Sequence, residues 1–114
     1  MLDITNSTIT GNTATVSGGG VSGLFVMLVY TTVVDNTAPS GANVRGTLSA
    51  PPALTSFGSV VALPQGGGTN CAVSGGSVSL GYNYSDDASC LFIGTGDTQN
   101  GADPQLLALG DFGC

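Results

Sequence analysis

The chain has 114 residues, of which 41% are hydrophobic and only 7% are charged, and its formal net charge is −6. Arg45 is the single Lys or Arg and there is no His, which excludes nucleic-acid binding through phosphate contacts and argues against an anionic membrane surface. The lack of His also removes Ser-His-Asp and Cys-His nucleophile pairs. We therefore expect no catalytic residue, no metal and no cofactor, and the longest apolar stretch, Val21 to Val34, is too short for membrane insertion.

An internal repeat organises the first part of the chain. Residues 6–14 (Asn-Ser-Thr-Ile-Thr-Gly-Asn-Thr-Ala) align with residues 30–38 (Tyr-Thr-Thr-Val-Val-Asp-Asn-Thr-Ala), an offset of 24 residues. A period in the low twenties is typical of one coil of a solenoid. In stacked parallel coils the same corner recurs above itself, so Asn12 and Asn36 are expected to stack their side-chain amides.

The local pattern predicts strands and no helix. Leu2 and Ile4 alternate with polar residues, and so do Val26 and Leu28, which is the period of a strand. The chain has 19 Gly and no Glu or Lys, so good helix formers are scarce. These patterns predict an all-β, right-handed parallel β-helix of about four to five coils, and we expect it to be a fragment of a longer helix.

The distribution of Pro and Gly suggests three parts within a single β-helix segment, residues 1–114. Residues 1–46 are coil-like, and residues 47–70 are predicted to be a Pro/Gly-rich excursion from the coils, with Val60, Val61 and Leu63 as its strand. Closing coils are expected over residues 71–109.

Three cysteines are present: Cys71, Cys90 and Cys114. A bridge between Cys71 and Cys90 would close a short Gly- and Ser-rich loop and contribute roughly 3 kcal/mol. The alternative is three reduced thiols in a cytosolic protein. The rest of the composition is typical of an extracellular protein, which favours the disulfide.

Parts of the chain resemble a known family. Residues 6–14, followed by Gly18-Gly19-Gly20-Val21, look like a coil of bacterial right-handed β-helix repeat proteins. Residues 79–83 (Ser-Leu-Gly-Tyr-Asn), Cys90 and residues 101–106 (Gly-Ala-Asp-Pro-Gln-Leu) resemble the choice-of-anchor Q region, which closes the β-helix in many large surface proteins. The resemblance covers residues 2–109, with residues 57–68 as an insertion.

The resemblance has two consequences for the cysteines. In that family one Cys precedes the Ser-Leu-Gly-Tyr-Asn segment and another follows it, and Cys71 and Cys90 occupy those places. The family continues with an Asp-Asn-Gly-Gly step and further coils, whereas this chain ends in Asp111-Phe112-Gly113-Cys114. The departure suggests truncation or a shifted reading frame, and it makes Cys114 an accident rather than a site.

Asp86 and Asp87 are the paired carboxylates that most resemble a catalytic site. Such pairs hydrolyse glycosides when they are held at a fixed separation, but sequence neighbours point apart and the basic residues that accompany such a site are missing. We interpret them as solvated loop acids. With Tyr82 and Tyr84 they form a weak candidate for a sugar-binding platform.

Asp97 to Asp103 is interpreted as an Asx-rich turn rather than a calcium loop.

The sequence thus predicts a non-catalytic structural or adhesive module of a secreted or cell-surface bacterial protein whose N-terminal export signal is missing. Polysaccharide is the expected ligand by resemblance alone. The alternatives are a fragment of a polysaccharide-degrading β-helix enzyme and a self-assembling β-solenoid filament subunit. In the latter, terminal coils with unpaired backbone groups would stack head-to-tail on other copies.

Overall fold

The computed structural model describes residues 1–50 and 52–107, and within them the protein is all-β. Three parallel sheets form the sides of a β-solenoid. The first contains β1 (Leu2–Thr5), β4 (Val26–Val29), β7 (Leu54–Phe57) and β10 (Ser77–Gly81). The second contains β2 (Thr8–Thr10), β5 (Thr32–Val34), β8 (Val60–Ala62) and β11 (Tyr84–Ser85). The third contains β3 (Val21–Gly23), β6 (Val44–Gly46) and β9 (Cys71–Val73). The predicted parallel β-helix is confirmed.

The repeat found in the sequence is the step from the first turn to the second. Thr8 pairs with Thr32 in the second sheet, and the amide of Asn12 donates to the side-chain oxygen of Asn36, 24 residues further on. The stacked amides are therefore confirmed. The next step is 28 residues, from Thr31 to Ser59, because the connection between β6 and β7 is longer than the one between β3 and β4.

The number of turns is smaller than expected. Each complete turn contributes one strand to each of the three sheets, and the described residues form three such turns and the first two strands of a fourth. Four to five coils were predicted. The difference arises after β11, where residues 86–107 form no further strand.

Residues 47–70 are not an excursion, so that prediction was wrong. They contain β7 and β8, which pair in register with β4 and β5 and form two sides of the third turn. The predicted insertion, residues 57–68, likewise contains the whole of β8. Pro52 and Gly66 to Gly68 lie in connections between strands, where no ladder hydrogen bond is required, so these residues do not interrupt the sheets.

Aliphatic side chains fill the interior. Val26, Leu28, Val33 and Leu54 are completely buried. They belong to one cluster that extends to Phe92 and Cys90 beyond the last strand. Burial of one such side chain contributes about 1.5–3 kcal/mol. The interior formed by the described residues is therefore a packed hydrophobic core.

No helix in the described ranges is long and apolar enough to cross a membrane. Residues 108–114 lie outside those ranges. The interpretation of Cys114 and the end of the predicted closing coils therefore fall outside the described residues.

Candidate functional site

A column of polar side chains runs along the corner between the first and second sheets. At this corner every turn has one residue in the left-handed conformation, and in the second, third and fourth turns the residue that follows it is buried in the solenoid. The inward residues Thr31, Ser59 and Asn83 are buried. The backbone N–H of Thr31 donates to Ser59 Oγ at 3.1 Å, and that of Ser59 donates to Asn83 Oδ1 at 3.0 Å. The third and fourth turns thus each supply a side-chain acceptor to the turn before them.

Asp97 ends this column. Its Oδ1 accepts the backbone N–H of Asn83 at 2.8 Å, and its Oδ2 accepts the backbone N–H of Gly94 at 2.6 Å. Partial burial raises the pKa of Asp97, but hydrogen bonds from Ser79, Asn83 and Gly94 outweigh burial and hold the pKa below the ordinary aspartate value. The carboxylate therefore replaces the acceptor that a further turn would have provided.

A second polar column consists of asparagine amides inside the solenoid. Asn36, Asn43 and Asn70 are completely buried. The Nδ2 atom of Asn36 donates to Asn43 Oδ1 at 2.9 Å, and that of Asn43 donates to Asn70 Oδ1 at 2.7 Å. Buried amides of this kind need all their partners, since an unpaired one costs about 1–3 kcal/mol.

Asp86 ends the asparagine column. Its Oδ1 accepts the side-chain amide of Asn70 at 2.6 Å, and its Oδ2 accepts the backbone N–H of Leu63 at 3.0 Å. Both carboxylate oxygens are thus engaged by groups of the third turn, so the interpretation of Asp86 as a solvated loop acid was wrong.

Asp87 and Ser89 cover the adjoining edge of the third turn. Asp87 Oδ2 accepts the backbone N–H of Asn70 at 2.9 Å, and Ser89 Oγ accepts that of Cys71 at 2.9 Å. The Ser89 hydroxyl donates in turn to Asp87 Oδ1 at 2.5 Å. Partial burial raises the pKa of Asp87, but the hydrogen bonds from Asn70 and Ser89 more than offset it, so the pKa lies below its ordinary value. Asp87 is not a solvated loop acid either.

A disulfide holds these residues in place. Cys71, the first residue of β9, is bonded to Cys90, with 5.0 Å between the two Cα atoms. The predicted pairing is confirmed, and both cysteines are buried. Phe92 follows and is 1% exposed, the only aromatic residue of the described core. We call residues 86–98 the C-terminal cap, because their side chains bind the backbone groups that the last turns leave unpaired.

The four residues of the proposed sugar platform do not form one site. Tyr82 is 63% exposed, whereas the Tyr84 hydroxyl donates to the carbonyl oxygen of Ala102, and Asp86 and Asp87 belong to the cap. Tyr82 adopts the left-handed conformation, with φ 59°, so the chain turns the corner between Tyr82 and Tyr84. This turn separates their side chains.

An aromatic cluster was missed by the sequence reasoning. Tyr30, Phe57 and Tyr82 come from three successive turns and lie in single file along the corner. Ring centroids are 5.3 Å apart for Tyr30 and Phe57 and 6.2 Å apart for Phe57 and Tyr82, both in edge-to-face contact. We call these three residues the aromatic stripe. The 24-residue repeat alone did not reveal it, because the second step is longer.

The described residues also form a groove of about 350 Å³ on the outer face of the second sheet. It is lined by Thr8, Thr10, Thr32, Val34, Asp35, Leu106 and Leu107. Asp35 is the one carboxylate among these residues, so the groove offers no acid–base pair. Among the described residues no three His, Cys, Asp or Glu side chains are close enough to hold a metal ion.

No protein-family model, curated protein or solved structure matches this chain.

Proposed function

We propose that this chain is a non-catalytic structural or adhesive β-helix module of a secreted or cell-surface bacterial protein. One observation carries the proposal. The acids that most resemble a catalytic pair, Asp86 and Asp87, hold the backbone N–H groups of Leu63 and Asn70. Their carboxylate oxygens act as hydrogen-bond acceptors for backbone groups at the end of the solenoid.

The electrostatics of the cap support a structural role. A general acid needs a carboxyl group whose pKa is raised towards neutrality by burial or by a neighbouring negative charge. The pKa of Asp87 is instead lowered by its hydrogen bonds. Asp87 is therefore ionised at neutral pH and its proton-accepting oxygens are occupied, which suits a cap and not a proton donor.

The redox chemistry supports an extracellular location. The buried Cys71–Cys90 bridge is of a kind that persists in oxidising compartments. The resemblance of residues 79–106 to the choice-of-anchor Q region points the same way, towards a surface protein. Membership in that family is part of the proposal.

Head-to-tail filament formation receives less support. It requires an unpaired edge at both ends of the solenoid. Residues 86–98 cover the edge of the last turns, and the backbone N–H groups of Tyr82 and Ser85 already donate to the carbonyl oxygens of Thr95 and Thr98 of the cap. Stacking at this end would require the cap to be displaced.

An activity assay tests the proposal. Purified protein incubated with pectin, alginate and neutral polysaccharides should release no reducing ends and no unsaturated products. Reproducible product release that disappears in an Asp86→Asn, Asp87→Asn double variant would contradict the non-catalytic function, provided that circular dichroism shows the variant to be folded.

A further inference from the structure

The aromatic stripe is an exposed surface that neither the core nor the cap requires. Tyr30 is 59% exposed and Tyr82 is 63% exposed. Among the described residues neither hydroxyl has a hydrogen-bond partner, in contrast to that of Tyr84, which donates to Ala102. Amphipathic rings of this kind are typical of binding surfaces, since they combine an apolar face with a polar tip.

The two tyrosine rings are held in position by the backbone beneath them. A Cβ atom on Gly58 would lie 2.8 Å from Tyr30 Cδ1, and one on Gly96 would lie 2.5 Å from Tyr82 Cδ1. Each ring therefore rests against a glycine, Gly58 of the third turn for Tyr30 and Gly96 of the cap for Tyr82, and Phe57 contacts both rings from the side. Little side-chain freedom remains to be lost when a ligand binds, which favours affinity.

The conformation of the corner does not by itself select tyrosine. Tyr30 has φ 49° and Tyr82 has φ 59°, a region in which bulky side chains are uncommon. The same corner is occupied by Asn6 in the first turn and by Gly58 in the third, and both residue types adopt this region readily. Two exposed tyrosines in a disfavoured conformation are a reason to look for a function.

The geometry and the charge of the surface point to one class of ligand. Tyr30 and Tyr82 lie two turns apart, about 10 Å at the usual spacing of neighbouring strands, a distance comparable to the length of a disaccharide. The net charge of −6 disfavours acidic polymers, and the single cation, Arg45, lies in the third sheet, away from this corner. The apolar face of a neutral sugar ring fits an aromatic ring without any charge.

We propose that the aromatic stripe binds a neutral, linear polysaccharide that runs parallel to the solenoid axis, with sugar rings against Tyr30 and Tyr82. This inference rests on the proposed function as an adhesive module, and it assigns the binding site of that module to the aromatic stripe. Phe57 acts as a positioning residue between the two rings, and Asn6, exposed at the same corner of the first turn, extends the surface with an amide.

The test is binding of the full chain to insoluble cellulose, chitin and mannan, with pectin and alginate as acidic probes. The key variant is Tyr30→Asn, Tyr82→Asn, because Asn is the residue that the first turn uses at this corner and it adopts the required conformation. It should keep the thermal stability of the wild type and lose binding by roughly tenfold or more. Tyr30→Phe, Tyr82→Phe keeps the rings and should keep most of the binding.

Ile93→Ala is the matched control, since Ile93 is an 84% exposed apolar residue outside the stripe, and it should bind as the wild type does. Absence of binding to all the neutral probes, or equal binding by the Asn variant, would overturn the proposal. So would a wild-type dimer that the Asn variant converts to a monomer in sedimentation, because the stripe would then be a contact between copies. Product release from a bound polysaccharide would contradict the non-catalytic function and leave the binding site standing.

Discussion

The backbone N–H of Asn83 donates to the carboxylate of Asp97 at 2.8 Å, and in the turn below, the N–H of Ser59 donates to the side chain of Asn83 at 3.0 Å. In the second, third and fourth turns the same backbone position thus finds a side-chain acceptor, first a hydroxyl, then an amide, and at the end a carboxylate. A charged acceptor forms the strongest of these hydrogen bonds. Among the described residues, this last acceptor is the one that no further strand follows.

Replacing Asp87 with Ala should destabilise the fold. The variant leaves the N–H of Asn70 without its side-chain acceptor and removes the partner of Ser89. We expect the free energy of unfolding to fall by about 1–3 kcal/mol. Chemical denaturation measures it, with Asp103→Ala as the control, because Asp103 is exposed and its one hydrogen bond within the described part of the chain is from the N–H of Gln105. Equal stability of the two variants would argue against the cap.

The pH dependence of stability should follow the cap carboxylates. The pKa values of Asp87 and Asp97 lie below the ordinary value of 3.8 in the folded protein. Their stabilisation is therefore complete above that value and is lost as the pH falls through the folded-state pKa values. We expect the Tm to stay level from pH 7 to about 5 and to decline below about 4.

The control for this profile is a pair of single variants. Asp87→Asn should have a lower Tm at pH 7 and a smaller loss on acidification than the wild type. Asp3→Asn changes an exposed acid of β1 and should retain the wild-type acid profile. An Asp87→Asn profile that parallels the wild type at every pH would assign the acid transition to other groups.

The Cys71–Cys90 bridge should be present in protein purified in air and should stabilise it. Its loop spans 19 residues, which corresponds to roughly 3 kcal/mol of chain entropy in the unfolded state. Alkylation followed by mass mapping should find Cys114 modified and the other two cysteines protected until reduction. Modification of Cys71 and Cys90 without reductant would weaken the assignment to an oxidising compartment.

Opening the cap should promote association between copies. With the cap closed, we expect no open-ended filaments, since the edge of the last turns is covered. A Cys71→Ala, Cys90→Ala, Asp87→Ala variant leaves unpaired backbone groups at that edge, which are a template for strand pairing. Sedimentation without reductant, with Cys114 alkylated in both proteins to prevent cross-linking, should show its mean mass rising with concentration more steeply than that of the wild type. The same rise in both proteins would place the contact elsewhere.

Much of the fold could be predicted from local patterns. The match between Thr8 and Thr32, and the stacking of Asn12 on Asn36, follow from the repeat because parallel coils place equivalent residues above each other. Residues 47–70 were misread because Gly66 to Gly68 resemble a break, although such residues also serve the corners of a regular turn.

The role of the acids could not be predicted in the same way. The sequence shows Asp86 and Asp87 as neighbours, but not that the N–H groups of Leu63 and Asn70 lack an acceptor at the end of the solenoid. Which backbone N–H groups lack an acceptor depends on where the last turn ends. Tyr30 and Tyr82 likewise come together only when both turn lengths, 24 and 28 residues, are known.

Amide hydrogen exchange on the native protein tests the cap most directly. Four backbone N–H groups outside the cap have a cap side chain as their acceptor: Leu63, Asn70, Cys71 and Asn83. If residues 86–98 close the solenoid, these four amides exchange about as slowly as those paired within the sheets, and Asp87→Ala accelerates exchange at Asn70 selectively. If the four amides in the wild type exchange as fast as those of exposed connections, the carboxylates do not hold the end of the solenoid, and their assignment to a structural role fails.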